Sequence, residues 1–327
     1  MNIKFKKGTS ILVTGSAGFI GFHVAKKLLE MGVRVIGIDN LNNYYDVNLK
    51  KDRNNILKKY KNYKFCKGDL ANLNFIKKVL NSEKIDKVCH LAAQPGVRYS
   101  LINPQAYIQS NLIAFSHLIE EVRKHKIKDF IYASSSSVYG KNKKTPFSVE
   151  DNVDRPISLY AATKKSNELI AHAYHHLFGI NCTGLRFFTV YGPYSRPDMS
   201  PIIFSKAISQ NQVIKVFNYG KMKRDFTYID DIVDGVLSAL HHSYPYEIFN
   251  LGNNRPINLQ YFIALLEKNI GQKAKKKLLP MQPGDILSTA ADIKNSQKKL
   301  GFTPKTPIEE GIKKFTDWYK EYYKKNA

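Results

Sequence analysis

Short β-branched runs alternate with amphipathic stretches over the first half of the chain. Ile11-Leu12-Val13 is followed by a glycine-rich turn and then by a helical pattern from Phe19 to Met31. Val33–Ile38 is a second β-branched run and ends in Asp39; Tyr63–Cys66, Lys87–Leu91, Phe130–Ala133 and Asn181–Phe188 repeat the type. Helical periodicity recurs near Asn74–Asn81, Asn111–His125 and Ala161–Leu177. Continuous apolar strands alternating with helices predict a doubly wound α/β fold, a parallel sheet covered on both faces.

After about residue 187 the punctuation changes. Tyr191-Gly192-Pro193, Arg196-Pro197 and Ser200-Pro201 predict an irregular segment, and from Pro256 helical patterns are separated by Pro280, Pro283, Pro304 and Pro307. Glu247–Leu251 again reads as a buried strand. The expectation is a first domain over 1–186 plus about 228–252, with a smaller, partly interleaved C-terminal domain over 187–227 and 253–327. A ligand is expected in the cleft between them.

Composition narrows the partners. The chain has 327 residues with a formal net charge of +24, and its 43% hydrophobic and 12% aromatic content excludes a disordered chain. The charge raises nucleic acid, an anionic membrane surface or a small anionic ligand. Lysine pairs are scattered along the whole length and the one triple, Lys275-Lys276-Lys277, stands in ordinary sequence. A nucleic-acid module concentrates its cations on one element with interleaved aromatics, so no nucleic acid partner is expected. Cys66, Cys89 and Cys182 are far apart and form no CxxC. Together with the lack of an apolar leader or a run long enough to span a bilayer, they predict a cytoplasmic protein with no membrane association. The sequon Asn181-Cys182-Thr183 then reads as chance.

The first strand runs into Thr14-Gly15-Ser16-Ala17-Gly18-Phe19-Ile20-Gly21. Glycines at this spacing permit a tight turn, close backbone approach to a pyrophosphate and close helix–strand packing, while the helix N-terminus aims free N–H groups at phosphate. The spacing is G-x-x-G-x-x-G, and its context, strand before and helix after, makes the sheet Rossmann-type with NAD as cofactor. Asp39, at the end of the second run, offers a carboxylate to the ribose 2′-hydroxyl and repels a 2′-phosphate. Asn40 follows it. Asp69 and Leu70, where a third strand would end, are candidates for the adenine edge or a turn. Leu91, Ala92 and Ala93 close the fourth strand with small residues that let a cofactor approach, or simply pack.

Tyr160 and Lys164 open a strongly helical stretch. Four residues on a helix place both side chains on one face, about 6 Å apart along the axis. An ammonium there would stabilise phenolate and draw the tyrosine pKa down from about 10, making Tyr160 a general base for a hydroxyl proton. Upstream, Ser134-Ser135-Ser136-Ser137-Val138-Tyr139-Gly140 sits at the carboxyl end of a predicted strand, where its hydroxyls would face the crevice in which such sheets bind ligands.

With the TGSAGFIG fingerprint, Asp39, SSSSVYG and YAATK, the chain resembles the extended short-chain dehydrogenase/reductase superfamily. HLAAQPGVRYSLINP (90–104), LRFFTVYGPYSRPDM (185–199), NYGKMKRDFTYIDD (218–231) and MQPGDILSTAAD (281–292) extend the match over nearly the whole chain and resemble bacterial UDP-glucuronate 4-epimerases. The resemblance implies reversible epimerisation of UDP-glucuronate to UDP-galacturonate through a 4-keto intermediate, with tightly bound NAD as transient hydride acceptor. Tyr160 would take the C4 proton, Lys164 would hold the ribose and tune Tyr160, and Ser135, Ser136 and Ser137 would surround the reacting hydroxyl. Ser135 aligns with the catalytic hydroxyl of UDP-galactose relatives and Ser137 with that of the uronate group. Sugar 4,6-dehydratases carry an acidic pair where this chain has Ser135-Ser136, and UDP-glucuronate decarboxylases a Glu at the position of Ser137; both are disfavoured.

The resemblance also implies a substrate site. Arg224 matches the diphosphate-binding arginine, Asp285 a residue near the uridine ribose, and the Gln212–Phe217 segment, with Val213 and Val216, the uracil-facing strand. Arg196 and Thr189, with Arg98 and Ser100 on the facing loop, are candidates for the sugar carboxylate. A homodimer paired through a helical face and a place in polysaccharide biosynthesis are expected on the same ground. No metal is expected: His172, His175 and His176 have helical spacing but no carboxylate or cysteine completes a set, so they read as a surface face. Tyr319, Tyr322 and Tyr323 read as packing or an interface. Three alternatives stay open: a 4-epimerase of a neutral UDP-hexose or UDP-N-acetylhexosamine, a non-catalytic NAD sensor, and a nucleic-acid binder.

Overall fold

The computed structural model describes residues 3–281 and 286–325. In chain order the strands are β1 (Ser10–Thr14), β2 (Arg34–Asp39), β3 (Tyr63–Lys67), β4 (Lys87–His90), β5 (Asp129–Ser135), β6 (Asn181–Phe187), β7 (Thr189–Tyr191), β8 (Val213–Val216), β9 (Lys223–Tyr228), β10 (Tyr246–Leu251), β11 (Pro256–Asn258) and β12 (Lys275–Leu278). The α-helices are α1 (Phe19–Glu30), α2 (Val47–Leu57), α3 (Leu73–Ser82), α4 (Tyr99–Ile102), α5 (Pro104–Tyr107), α6 (Ala114–Lys124), α7 (Leu159–Phe178), α8 (Ser200–Ser209), α9 (Ile229–His241), α10 (Leu259–Ile270), α11 (Lys294–Leu300) and α12 (Ile308–Lys325).

Seven strands make one parallel sheet in the order β10-β6-β5-β4-β1-β2-β3. Every residue of β1 is buried, as is all of β2 except Arg34, which is why these strands read as unbroken apolar runs. The order reverses between β1 and β4, because the chain builds outward to β3 and then returns to the free edge of β1. That reversal opens a crevice at the carboxyl ends of the strands.

Downstream, β11-β9-β7 and β12-β8 form two small sheets. One apolar cluster runs from Ile11 and Phe22 through Phe226 and Phe262 to Phe315, so the two regions share a core. The Phe226 and Phe262 rings stack at 4.4 Å within it. Helix α9 packs on α1, and β10 completes the edge of the large sheet beside β6.

Three local expectations differ from what is found. Helix α2 was not predicted: its buried face carries Lys50, Arg53 and Asn54 beside Leu49 and Leu57, so no apolar period marks it. The helical pattern at Asn111–His125 is divided, with a π turn over Ile108–Ile113 ahead of α6. The run Asn181–Phe188 breaks after Phe187, and Thr189–Tyr191 leaves to pair with β9.

Candidate active site

The crevice is built first by the turn after β1. Gly15 has φ +69°, its N–H donates to the Ile38 carbonyl at 2.7 Å, and a Cβ there would lie 2.8 Å from the Ala92 backbone nitrogen. A Cβ at Gly21 would fall 2.1 Å from the Gly15 carbonyl oxygen, so α1 can rest on the turn only through a glycine. Helix α1 starts at Gly18 with no side-chain cap and no acid in its first turn. Its N-terminal donors and dipole are left for an anion.

Asp39, 8% exposed, accepts from the Ala17 N–H at 3.2 Å and from the Leu41 N–H at 2.9 Å. Each carboxylate oxygen retains acceptor capacity for a ribose hydroxyl. Asn40 Nδ2 donates to Asp69 Oδ2 at 3.0 Å, which joins the ends of β2 and β3. Gly15, Gly18, Phe19, Ile20, Gly21, Asp39, Asn40, Asp69, Leu70, Leu91, Ala92 and Ala93 all line one cleft, with Ala17 buried behind the turn. A glycine cradle that a Cβ would fill, an uncapped helix and a backbone-held carboxylate fit a dinucleotide such as NAD.

The same cleft contains Ser135, Tyr160, Lys164 and Arg196. Ser158 caps α7 by accepting from the Ala161 N–H at 3.1 Å, which puts Tyr160 in the first helical turn facing the end of β5. Burial pushes the Tyr160 pKa up, while the neighbouring Ser135 hydroxyl and the Arg196 charge pull the other way. Ser135 Oγ accepts from the Ser137 N–H at 3.2 Å, whereas Ser136 and Ser137 do not line the cleft.

Lys164 is buried, and burial draws its pKa down to about 8. Its Nζ donates to the Ala133 carbonyl at 2.9 Å. An ammonium has three donors, so this bond leaves two for other partners, and the Arg196 charge nearby favours the Tyr160 phenolate. Beneath them, Glu168 accepts Ser134 Oγ at 2.6 Å and both Arg186 Nε and Nη2 at 2.9 Å, while Arg186 Nη1 donates to the Tyr139 hydroxyl at 3.1 Å.

Arg196 forms a fork with Asp198, Nε to Oδ1 at 3.0 Å and Nη2 to Oδ2 at 2.8 Å. Partial burial pushes the Asp198 carboxyl up, but this fork outweighs it and holds the group below the ordinary range. Among the described residues, the others assigned to substrate are not in the lining of this cleft. Arg98 is exposed, its guanidinium 5.1 Å from the Phe217 ring centroid. Thr189 pairs with Phe226 between β7 and β9, and Arg224 Nη1 on β9 donates to the Lys223 carbonyl at 2.9 Å. Val213 is exposed on β8. Two readings need correction as side-chain contacts: Val216 is fully buried in the core, and Ser100 is turned inward to donate to the Val97 carbonyl at 2.6 Å. Asp285 lies outside the described residues.

Several cleft residues escaped the sequence reading. Tyr44 and Tyr45 line it from the β2–α2 connection and Lys50 from α2, with Lys50 Nζ held by the Asn42 carbonyl at 2.9 Å. Buried Arg53 donates to the Ala17 carbonyl at 2.9 Å, the Tyr45 hydroxyl at 2.7 Å and the Tyr194 carbonyl at 2.6 Å, tying the glycine turn to the Arg196 segment. Asn111, in the π turn, accepts from the Gln94 N–H at 2.8 Å and donates to Thr163 Oγ1 at 3.0 Å, bracing the Gln94 loop on α7. An asparagine at a core position of a helical pattern was the available signal.

His172 and His175 pack on the Tyr246 ring, with centroids 4.9 and 6.1 Å away, and among the described residues no three His, Cys, Asp or Glu side chains could hold a metal ion. Tyr319 is buried, and Tyr322 donates to Asp52 at 2.6 Å. Among the described residues no helix is long and apolar enough to cross a membrane.

Comparison with known proteins agrees with this geometry. Residues 11–252 match the model of the NAD dependent epimerase/dehydratase family. An uncharacterised protein of Methanocaldococcus jannaschii is 57% identical over 96% of this chain and 97% of its own length. UDP-glucuronate 4-epimerase 2 of Arabidopsis thaliana is 42% identical over 99% of this chain and 79% of its own. The crystal structure of UDP-glucuronic acid 4-epimerase from Bacillus cereus, in complex with UDP-glucuronic acid and NAD, superposes with a TM-score of 0.90 at 36% identity, covering 96% of this chain and 100% of that one.

Proposed function

The chain belongs to the NAD-dependent epimerase/dehydratase family, and from that membership we propose that it interconverts UDP-glucuronate and UDP-galacturonate through a 4-keto intermediate. One observation carries the reading: Tyr160 and Ser135 line the dinucleotide cleft together with the cation Arg196. That is a proton acceptor for a sugar hydroxyl beside a partner for a sugar carboxylate.

Gly15, Gly18 and the N-terminus of α1 would hold the pyrophosphate of NAD, Asp39 its adenosine ribose, and Lys164 its nicotinamide ribose. Bound NAD⁺ supplies the hydride acceptor for C4 and, once reduced, the donor that returns hydride to the other face. Tyr160 Oη takes the C4 hydroxyl proton, with Ser135 Oγ beside it as relay, and returns it after the keto sugar has turned over in the site. Phe187, Phe188 and Met199 line the cleft with apolar surface that limits access of water to the keto sugar. Segments 187–227 and 253–327 act as the UDP-sugar domain, with Arg224 as diphosphate partner. The enzyme works in the cytoplasm as a homodimer and supplies polysaccharide biosynthesis.

The test is product analysis. Purified protein is incubated without added cofactor with UDP-glucuronate, UDP-glucose or UDP-N-acetylglucosamine, and products are resolved by NMR. UDP-galacturonate from the first is the expected result; none, even after NAD is supplied, overturns the reading. A second reading, a 4-epimerase of neutral UDP-sugars, is favoured by one observation: Arg196 already has a carboxylate partner in Asp198, so a neutral sugar would leave no buried cation unpaired.

A further inference from the structure

The segment that carries Arg196 is fastened from three sides. Asp198 takes the Nε and Nη2 edge of its guanidinium at 3.0 and 2.8 Å. Tyr44, on the loop that follows Asp39, donates its hydroxyl to Asp198 Oδ2 at 3.0 Å. Arg53 donates to the carbonyl of Tyr194 at 2.6 Å, two residues before Arg196. Arg196 and Tyr44 line the cleft, whereas Asp198 is not among its lining residues and is exposed. Among the described residues no hydrogen bond engages Nη1 of Arg196. Tyr44 is itself steadied by the Tyr99 ring, 4.8 Å away.

A guanidinium carries five donors in a rigid plane, so an anion that fills one edge fixes where the other end points. We propose that Asp198, tethered by Tyr44, is a positioning residue that aims the Nη1 end of Arg196 at the sugar carboxylate and so sets the preference for a uronate over a neutral sugar. The proposal rests on the uronate reading above. A long arginine side chain loses rotamer freedom when it is fixed, and here that ordering precedes substrate binding. A neutral sugar makes no use of Nη1 and is indifferent to its aim. The Tyr44–Asp198 contact also joins the cofactor loop to the carboxylate site.

The test compares Asp198→Asn and Tyr44→Phe with the natural enzyme, using KM and kcat for UDP-glucuronate and the inhibition constant of UDP-glucose as the neutral probe. NAD content per chain and Tm report an intact fold and cofactor site. Asp198→Asn is expected to raise KM for UDP-glucuronate about tenfold with kcat within about twofold and the UDP-glucose constant unchanged. Tyr44→Phe, which removes one hydroxyl, moves KM the same way by less and serves if Asp198→Asn does not fold. An equal rise for both sugars, an unchanged KM, or a lower KM for UDP-glucuronate overturns the proposal, the last because it would make Asp198 a competitor of the substrate. A natural enzyme that does not epimerise UDP-glucuronate overturns the functional reading itself, a result seen before any variant is made.

Discussion

Lys164 donates to the Ala133 carbonyl at 2.9 Å, which ties the helix that begins beside Tyr160 to the strand that ends in Ser135. The bond sets the spacing of the Ser135–Tyr160 pair, and it gives a fully buried ammonium a neutral partner instead of a carboxylate.

That choice has a pH signature. Burial places the Lys164 pKa near 8, below its ordinary 10.5, so between about pH 8 and 10 the unfolded chain binds more protons at this group than the folded one. Stability of the cofactor-free protein attributable to Lys164 therefore rises over that window, approaching about 1.4 kcal/mol per pH unit. Urea melts at pH 7 to 10 should show this slope in the natural protein and not in Lys164→Met. Parallel pH curves for the two proteins would contradict it.

Tyr160→Phe removes the hydroxyl but keeps the ring against Tyr107, whose centroid is 6.0 Å away. We expect kcat for UDP-glucuronate to fall by about 10²–10⁴ with bound NAD and Tm nearly unchanged. A variant retaining a tenth of the natural rate would exclude Tyr160 as the base.

Glu168→Ala strips the buried Arg186 of its fork and Ser134 of its acceptor. The expected loss is about 3–5 kcal/mol in denaturant unfolding, because an uncompensated charge remains in the core. Adding Arg186→Met should recover a large part of it, and a double variant no more stable than the single one would show that the cost is packing and not charge.

Asp39→Ala removes the carboxylate that the Ala17 and Leu41 N–H groups hold at the cofactor end of the cleft. Fluorescence titration of cofactor-free protein should then show weaker NAD binding and a preference over NADP reduced by about tenfold or more. An unchanged NAD to NADP ratio would mean that another residue reads the ribose.

The parts legible in the sequence were those whose physics is local. Three glycines, the strand before them and Asp39 after them report the dinucleotide turn, because a turn, an uncapped helix start and a strand end are each written in adjacent residues. The same holds for Tyr160 and Lys164, since helical geometry alone puts them on one face. Helix α2 escaped because its inward face carries Lys50, Arg53 and Asn54, and a periodicity argument looks only for apolar residues. Asn111 escaped because its role depends on a π turn and on Gln94, Thr163 and Asn167 arriving from other elements.

By itself the sequence determined the alternation of strand and helix, the doubly wound sheet, the cofactor turn and the membership of the Tyr–Lys pair, because backbone propensity and side-chain period act over a few residues. Only the tertiary structure decided where the cations go. Of Lys164, Arg196 and Arg224, the first donates to a backbone carbonyl, the second is held by Asp198, which Tyr44 tethers, and the third stands on the small β11-β9-β7 sheet. A charge acts through distance and burial, and both are set by residues far away in the chain. The net charge of +24 is therefore a weak guide to function, while the direction in which one guanidinium points is a strong one.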